Sequence, residues 1–261
     1  MRVLLTGHRG ILGGHLSKEL LKTAHFELVR FPGDITSIEE VNNFFVNNQE
    51  FDIVVHLAAL VSVQKVNNDT QKALLTNCFG TQNILMAVAN QWPEAHFIHI
   101  STSHVYGQKK EPLSEGDEKN PISFYGLSKL LAEESVVRLA NYYKLKYSII
   151  RVFSMWDECQ SNDYLYGNLK HRLANEDLAQ KFILRGGGSL RNFSSALNVA
   201  KYIMDVLNAG PVKAINVGCE KNMSVGEFAQ SLTTANLDIV NAEPCDSLIP
   251  DLSYYNEIKK L

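Results

Sequence analysis

The 261-residue sequence has few of the features that mark secreted, membrane-spanning or nucleic-acid-binding proteins. Its four cysteines are scattered and form no C-x-x-C pair, so we expect reduced thiols, a cytoplasmic location and no metal site. No apolar run reaches the roughly 18–20 residues that span a bilayer, and the strand-like run from Val3 leaves no room for a signal peptide. The net charge of −3 indicates no general affinity for nucleic acid or for a membrane surface.

What the chain does have is a hydrophobic content of 45%, enough for a sizeable core, and a regular alternation of short apolar strands with helical segments. We predict strands near residues 3–6, 26–30, 52–57, 96–100 and 147–152, and helices near 11–22, 70–90 and 125–143, with another helix starting at a Ser37/Glu40 capping box. This alternation predicts βαβ units and an α/β fold with a Rossmann-type, doubly wound parallel sheet. In such a sheet ligands bind at the carboxyl ends of the strands.

Beyond residue 154 the alternation becomes less regular. A helix near 195–207 and a strand at 214–217 predict a return to the sheet, and a further helix is expected near 224–232. We therefore expect a dinucleotide-binding domain at 1–154 with a return segment at about 195–218. Residues 155–194 and 219–261 are expected to form a small, discontinuous substrate lobe.

Three glycines, Gly7, Gly10 and Gly13, follow the first strand at the spacing G-x-x-G-x-x-G and lead into a helix. The first allows a sharp turn, the second allows a pyrophosphate to approach the backbone, and the third allows the helix to pack on the strand. Backbone N–H groups and the helix dipole then face the bound anion. The alternative is an ordinary glycine-rich turn between a strand and a helix.

Arg30 closes the second predicted strand, where dinucleotide folds place an acid for a ribose 2′-hydroxyl or an arginine for a 2′-phosphate. Arg9 lies inside the glycine turn. Two guanidinium groups near one ribose favour NADP(H) over NAD(H), because arginine binds phosphate through a planar fork. The alternative is that both arginines are solvated surface charges. Asp34 and Ile35 are expected to meet the adenine ring, with Asp34 accepting from its amino group.

Tyr125 and Lys129 lie four residues apart at the start of a predicted helix, so they share one face. The lysine charge is expected to lower the pKa of the phenol and allow proton exchange near neutral pH. Thr102, just past a strand, can hydrogen-bond to the same substrate oxygen. A Y-x-x-x-K pair alone is a weak indication of function. It becomes a specific one here because it follows a glycine turn and a Ser/Thr at a strand end.

Together these motifs resemble the extended short-chain dehydrogenase/reductase family, in its nucleotide-sugar epimerase, dehydratase and reductase branch. The resemblance covers nearly the whole chain. Within the branch, the paired arginines and the sequence H-R-G-I-L-G of residues 8–13 most resemble those of the GDP-fucose synthases. The matching segments are residues 6–13, 56–59, 77 with 80–83, 101–102 with 105–107, 125 with 129, 191–193, and 216–218 with 224–225.

The resemblance implies that Tyr125 is the acid/base, that Lys129 binds the nicotinamide ribose, and that Thr102 polarises the sugar oxygen. Arg191 would reach the diphosphate of a nucleotide sugar, and Ser103 and His104 would lie beside the sugar, although His104 can also be read as a partly exposed loop histidine. The residues expected to bind the cofactor are Gly7, Arg9, Gly10, Ile11, Gly13, Arg30, Asp34, Ile35, Leu57, Ala58, Ala59, Asn77, Tyr125 and Lys129.

The sequence also departs from the family pattern. Dehydratases of the branch carry Thr-Asp-Glu where this chain has residues 102–104, and Ser103 and Tyr164 stand near the cysteine and histidine that GDP-fucose synthases use for epimerisation. We therefore expect an NADP(H)-dependent reductase of a 4-keto nucleotide sugar. The alternatives are an NAD-dependent nucleotide-sugar 4-epimerase and a non-catalytic dinucleotide-binding or sensing protein. The family resemblance further implies a homodimer formed through the helices near 70–90 and 125–143.

Overall fold

The computed structural model describes residues 1–242 and 245–260. The strands are β1 (Arg2–Thr6), β2 (Glu27–Arg30), β3 (Ile53–His56), β4 (His96–Thr102), β5 (Lys146–Val152), β6 (Met155–Trp156), β7 (Lys181–Leu184), β8 (Leu190–Arg191), β9 (Ser194–Ser195), β10 (Ala214–Val217), β11 (Met223–Ser224), β12 (Asp238–Asn241) and β13 (Ser247–Leu248). The helices are α1 (Ile11–Leu21), α2 (Ile38–Val46), α3 (Val63–Asn68), α4 (Thr70–Leu74), α5 (Gly80–Gln91), α6 (Phe124–Tyr143), α7 (Leu165–Asn175), α8 (Ala196–Ala209), α9 (Val225–Ser231) and α10 (Ser253–Ile258).

Six parallel strands form the central sheet in the order β2-β1-β3-β4-β5-β10. This arrangement confirms the predicted doubly wound α/β fold. The chain order reverses between β1 and β3, and in sheets of this type ligands bind in the crevice at such a switch point. The glycine turn after β1 and the segment after β3 meet at this crevice.

The sheet is buried on both faces because its strands are apolar on both sides. Successive side chains of a strand point to opposite faces, so Val3 and Leu5 pack under α1, α8 and α10, whereas Leu4 packs under α2, α5 and α6. Every residue of β3 and β4 is buried. The continuous apolar runs in the sequence therefore reflect helices packed on both sides of the sheet.

Two predicted local features differ from the structure. The helix predicted at residues 70–90 is interrupted by a π-helical turn at Leu75–Phe79, between α4 and α5. Only half of the predicted capping box forms: the Ser37 hydroxyl accepts from the Glu40 N–H at 3.3 Å. The Glu40 carboxylate accepts instead from the backbone N–H of Asp34, at 2.8 Å.

A smaller apolar core, centred on Tyr166, Phe182 and Phe228, lies in the region expected to form the substrate lobe. Short strand pairs surround it: β7 pairs with β12, and β8 pairs with β11 and β13. The helix α10, which the sequence analysis placed in this lobe, lies elsewhere. Its Tyr255 joins the core of the main sheet and donates a hydrogen bond to Asp205 at 2.6 Å. Among the described residues, no helix is long and apolar enough to cross a membrane.

Candidate active site

The glycine turn packs against the end of β3 with no room for side chains at two of its three glycines. Gly7 has φ +71°, and a Cβ there would lie 2.6 Å from the Ala58 backbone nitrogen. A Cβ on Gly13 would lie 2.3 Å from the Gly7 carbonyl oxygen. At Gly10 the space is more open, since a Cβ there would meet only that same carbonyl oxygen, at 3.3 Å. The turn therefore leaves its backbone accessible where α1 begins, as a pyrophosphate site requires.

A cleft of about 630 Å³ runs from this turn along the carboxyl ends of the strands. Its volume lies in the range usual for cofactor and substrate sites. The glycine turn, the open helix N-terminus and the small side chains after β3 fit an extended dinucleotide. The predicted site residues that line the cleft are Gly7, Arg9, Gly10, Ile11, Gly13, Leu57, Ala58, Ala59, Thr102, Ser103, His104, Tyr125 and Lys129.

Four residues predicted to bind the cofactor do not line this cleft, namely Arg30, Asp34, Ile35 and Asn77. Both the amide and the hydroxyl of Thr36 donate to the Asp34 carboxylate at 2.8 Å, so this carboxylate already caps its own turn. Ile35 is buried against Gly80. Asn77 is wholly buried.

The Asn77 amide joins the segment after β3 to α6 instead of facing the cleft. Its oxygen accepts from the Leu60 N–H at 2.7 Å, and its nitrogen donates to the Leu60 carbonyl and to the Ser128 hydroxyl, both at 2.9 Å. Asn77 thus braces the wall of the cleft, and its contact with the cofactor stays a prediction. The sequence pattern identifies Asn77, but it does not predict these hydrogen bonds, because Leu60 and Ser128 are distant from Asn77 in the chain.

Tyr125 lies at the buried end of the cleft, close to the side chain of Thr102. Burial raises the pKa of Tyr125 to about 12, Thr102 opposes this shift, and nearby Tyr164 adds to it. Burial therefore outweighs any lowering by Lys129, and the pKa of this phenol is raised where the sequence predicted that it would be lowered.

The Lys129 ammonium is directed at the backbone of β4. Its Nζ donates to the Ile100 carbonyl at 2.6 Å and lies 3.3 Å from His99 Nε2. Burial lowers the pKa of Lys129 to about 8, and the charge of Glu133 on the same helix opposes that shift. A lysine with this pKa changes its charge state close to physiological pH.

The start of α6 is fixed by close packing against the turn after β4. Ser123 caps the helix by accepting from the Gly126 N–H at 3.1 Å. A Cβ on Gly126 would lie 2.1 Å from the His104 carbonyl oxygen, so only glycine allows this contact. The contact places the Tyr125 ring edge-on to the His104 ring, with centroids 5.6 Å apart. Tyr125, Thr102 and His104 are thereby held together.

A second cavity, of about 450 Å³, lies beside the cleft and contains Arg191. The Arg191 guanidinium donates to the Asp246 carboxylate at 2.7 Å. His104 is close enough to both groups for their charges to act on it: burial chiefly lowers the pKa of His104, Arg191 lowers it further, and Asp246 raises it. His104 therefore lies between the cleft and the second cavity.

Four residues close the cleft from the lobe side, namely Ser154, Met155, Gln160 and Tyr164. The sequence indicates Tyr164, through its place near a family histidine, but it does not predict that Met155 and Gln160 line the cleft. No motif marks Gln160, and the sequence around Met155 is typical of packing in the lobe. In the described part of the chain, no group of three histidine, cysteine, aspartate or glutamate side chains is placed to hold a metal ion.

A family model described as the NAD dependent epimerase/dehydratase family matches residues 3–218 of the chain. The chain belongs to this family. The predicted family is thereby confirmed, and with it an NAD-dependent, oxidoreductase-type enzyme. The finer likeness to GDP-fucose synthases stays a prediction.

Individual relatives are distant. A UDP-N-acetyl-alpha-D-glucosaminuronate decarboxylase of Bacillus cytotoxicus is 28% identical over 283 residues, covering 95% of this chain and 85% of that protein. A UDP-glucuronic acid 4-epimerase from Bacillus cereus, solved with UDP-glucuronic acid and NAD, is 23% identical with a TM-score of 0.81, covering 100% of this chain and 93% of that one. RMD from Pseudomonas aeruginosa, solved with NADPH, is 21% identical with a TM-score of 0.86, covering 99% and 92%. The two structures support the fold.

The glycine packing yields a paired test in α1. Gly13→Ala places a methyl group 2.3 Å from the Gly7 carbonyl oxygen, which must shift the turn. We expect affinity for NADPH to fall by at least about tenfold, or about 1.4 kcal/mol. Gly14→Ala meets nothing within 4 Å, so affinity should be unchanged and the helix stabilised by about 0.5–1 kcal/mol. Fluorescence titration of both variants checks this, and equal affinities would contradict it.

Proposed function

We propose that this protein is an NADP(H)-dependent reductase of a 4-keto nucleotide sugar. The observation that carries the proposal is the clustering of Thr102, Tyr125 and Lys129 along a cleft that fits a dinucleotide. Burial raises the pKa of Tyr125 to about 12, so the phenol holds its proton at neutral pH. A protonated phenol beside a carbonyl oxygen can give up that proton as hydride arrives at the carbon.

A reduced nicotinamide dinucleotide, held by the glycine turn and the residues after β3, would supply the hydride that reduces C4 of the sugar. Tyr125 gives its proton to the former carbonyl oxygen, so that C4 becomes a secondary alcohol and the tyrosine becomes a phenolate. The phenolate then recovers a proton from solvent. Thr102 donates to the same oxygen and polarises the carbonyl, and Lys129 stabilises negative charge as it develops.

A 4-epimerase is the second candidate, and the comparisons favour it in part. The Bacillus cereus relative is a UDP-glucuronic acid 4-epimerase solved with NAD. Such a reaction would use the same Thr102, Tyr125 and Lys129, with the tyrosine first acting as a base. A non-catalytic dinucleotide sensor would need none of these three side chains, so their clustering disfavours that alternative.

The proposal predicts how a tyrosine variant behaves. With NADPH and a panel of 4-keto nucleotide sugars, Tyr125→Phe should lower kcat by about 10²–10⁴-fold, because the proton donor is lost. Its affinity for NADPH should change little. Tyr142→Phe, an exposed change at the far end of α6, is the matched control and should keep full activity.

Absorbance at 340 nm measures turnover in this assay. The reductase is contradicted if no sugar of the panel causes NADPH to be oxidised. If the protein also retains NAD and interconverts sugars that differ at C4, the epimerase is supported.

Three side chains beside the glycine turn, those of His8, Arg9 and Arg30, support a preference for NADP(H). Arg9 and Arg30 both lie close enough to His8 for their charges to lower its pKa, after burial as the larger cause. Both arginines therefore lie near His8, and an arrangement of this kind suits recognition of one 2′-phosphate. No motif in the sequence marks His8 as the third member of this cluster.

Removing either guanidinium tests that preference. In Arg9→Ala and in Arg30→Ala, the ratio of NADPH affinity to NADH affinity should fall by about tenfold, or about 1.4 kcal/mol. Arg138→Ala, a change of an exposed arginine on α6, is the control and should leave the ratio unchanged. Titrations of wild-type protein that favour NADH would exclude this interpretation of the arginines.

For the second cavity we propose that Arg191 binds the diphosphate of the nucleotide sugar. The planar guanidinium of Arg191 suits phosphate oxygens. To bind them, Arg191 would give up its hydrogen bond to Asp246. His104 lines the cleft, and the charges of Arg191 and Asp246 in the second cavity act on it. A diphosphate held by Arg191 would place the attached sugar toward the cleft that Tyr125 lines.

We also propose a homodimer formed through an apolar surface on α6 and the adjoining π-helical turn. Leu127 and Leu131 are four residues apart on α6, Leu75 and Phe79 are four apart on the turn, and all four are exposed. The π-helical turn and α6 are in contact. This surface coincides with the two helices that the family resemblance indicates.

Sedimentation measures the oligomeric state that this surface implies. Phe79→Glu should give a monomer, because a charge would have to be buried in the interface. Leu21→Glu, at an exposed leucine on α1, should leave the dimer intact. A monomeric wild-type protein would contradict the proposal.

A further inference from the structure

His99 is a fully buried histidine that the proposed reaction does not use. It lies on β4, and its Nε2 is 3.3 Å from the Nζ of Lys129. Its other ring nitrogen, Nδ1, has no hydrogen-bond partner among the described residues. The ring stacks on that of His56 in β3, with centroids 5.8 Å apart. Its one polar contact is therefore with the lysine of the acid/base pair.

The other groups around Lys129 have partners of their own. Glu133 on α6 is bound by Arg151 of β5 through both carboxylate oxygens. His56 is bonded through Nδ1 to Thr6 at 2.8 Å and through Nε2 to Thr81 at 3.0 Å. Among these neighbours, only His99 has a ring nitrogen directed at Lys129, and this contact is the one hydrogen bond that its ring makes.

The protonation states fix the direction of that bond. Burial is the main cause that lowers the pKa of His99 well below 6.5, and the charge of Lys129 adds to it. Burial likewise lowers the pKa of His56 to about 3. Both imidazoles are neutral at pH 7, and a charged lysine has three N–H donors and no acceptor. Lys129 must donate, and His99 Nε2 must accept.

We propose that His99 is a positioning residue, a neutral acceptor that holds the Lys129 ammonium beneath the cleft. With Ile100 and His99 taking two of its N–H groups, the third is left for the cleft, which Lys129 lines. This role requires the proton of His99 to sit on Nδ1, where it is buried and unpaired. A leucine or phenylalanine would avoid that cost, so the imidazole is explained by its bond to Lys129.

The hydrogen bond does not depend on the proposed reductase function, although its effect on turnover does. Protein labelled with ¹⁵N-histidine therefore tests it by NMR, with the His99 signal assigned by its loss in His99→Gln. We expect a protonated Nδ1 and an unprotonated Nε2 whose shift changes as Lys129 titrates near pH 8. In Lys129→Met this change should disappear. A proton on Nε2 in the wild type, or a shift that Lys129→Met leaves unaltered, would overturn the proposal.

A kinetic comparison tests the consequence for the lysine. In His99→Leu the Lys129 ammonium loses its acceptor, so the pKa of Lys129 should fall. The pH at which activity declines, above neutral in the wild type, should therefore be lower by about one pH unit. His99→Gln keeps an acceptor and should restore the wild-type profile. His96→Leu is the matched control, because His96 is a buried histidine of the same strand bonded to Ser148 at 2.8 Å, and its profile should be unchanged.

These outcomes separate the two proposals. If no keto sugar is turned over, the reductase function fails, while the NMR result and the pH dependence of NADPH affinity still decide the role of His99. If His99→Leu does not fold, His99→Gln and Lys129→Met supply the comparison. Identical pH profiles of NADPH affinity in the wild type, His99→Leu and His96→Leu would reject the positioning role.

Discussion

The geometry of the site depends on one buried ion pair, Arg151 with Glu133. Each side chain is 3% exposed or less, and the guanidinium donates to both carboxylate oxygens at 2.8–3.2 Å. Burying two charges is costly unless every donor and acceptor is used. Arg151 offsets part of this cost by also donating to the Tyr106 hydroxyl at 2.7 Å and to the Glu115 carbonyl at 3.0 Å. The pair fastens α6, and so Tyr125 and Lys129, to β5.

Sequence patterns predicted the parts of the site that depend on near neighbours. The glycine turn, the strand ends and the Tyr125/Lys129 pair each lie within one strand-turn or helix, so spacing alone identifies them. The Arg151–Glu133 pair, the hydrogen bonds of Asn77 and the His99–Lys129 contact join residues far apart in the chain. The placement of α10 on the main sheet is of the same kind. No local periodicity encodes such contacts, because the folded sheet alone brings the partners together.

The electrostatics of the site show why residue type does not settle the direction of the reaction. Tyrosine beside lysine suggests a phenol of lowered pKa, but in the folded chain burial outweighs the lysine, whose ammonium is held by Ile100 and His99. Reduction of a ketone needs a tyrosine that gives up a proton, whereas a 4-epimerase must begin by deprotonating an alcohol. Both reactions use the same side chains, so the difference lies in the protonation state and in whether the cofactor is exchanged.

Transfer of deuterium from the cofactor tests this account most directly. The protein would be incubated with NADPH deuterated at both C4 positions of the nicotinamide and with a 4-keto nucleotide sugar, and the sugar analysed by NMR and mass spectrometry. The reductase account predicts one deuterium, located at C4, in each product molecule. A product without deuterium, formed while the added NADPH stays unoxidised, would contradict it and indicate hydride cycling on a retained cofactor.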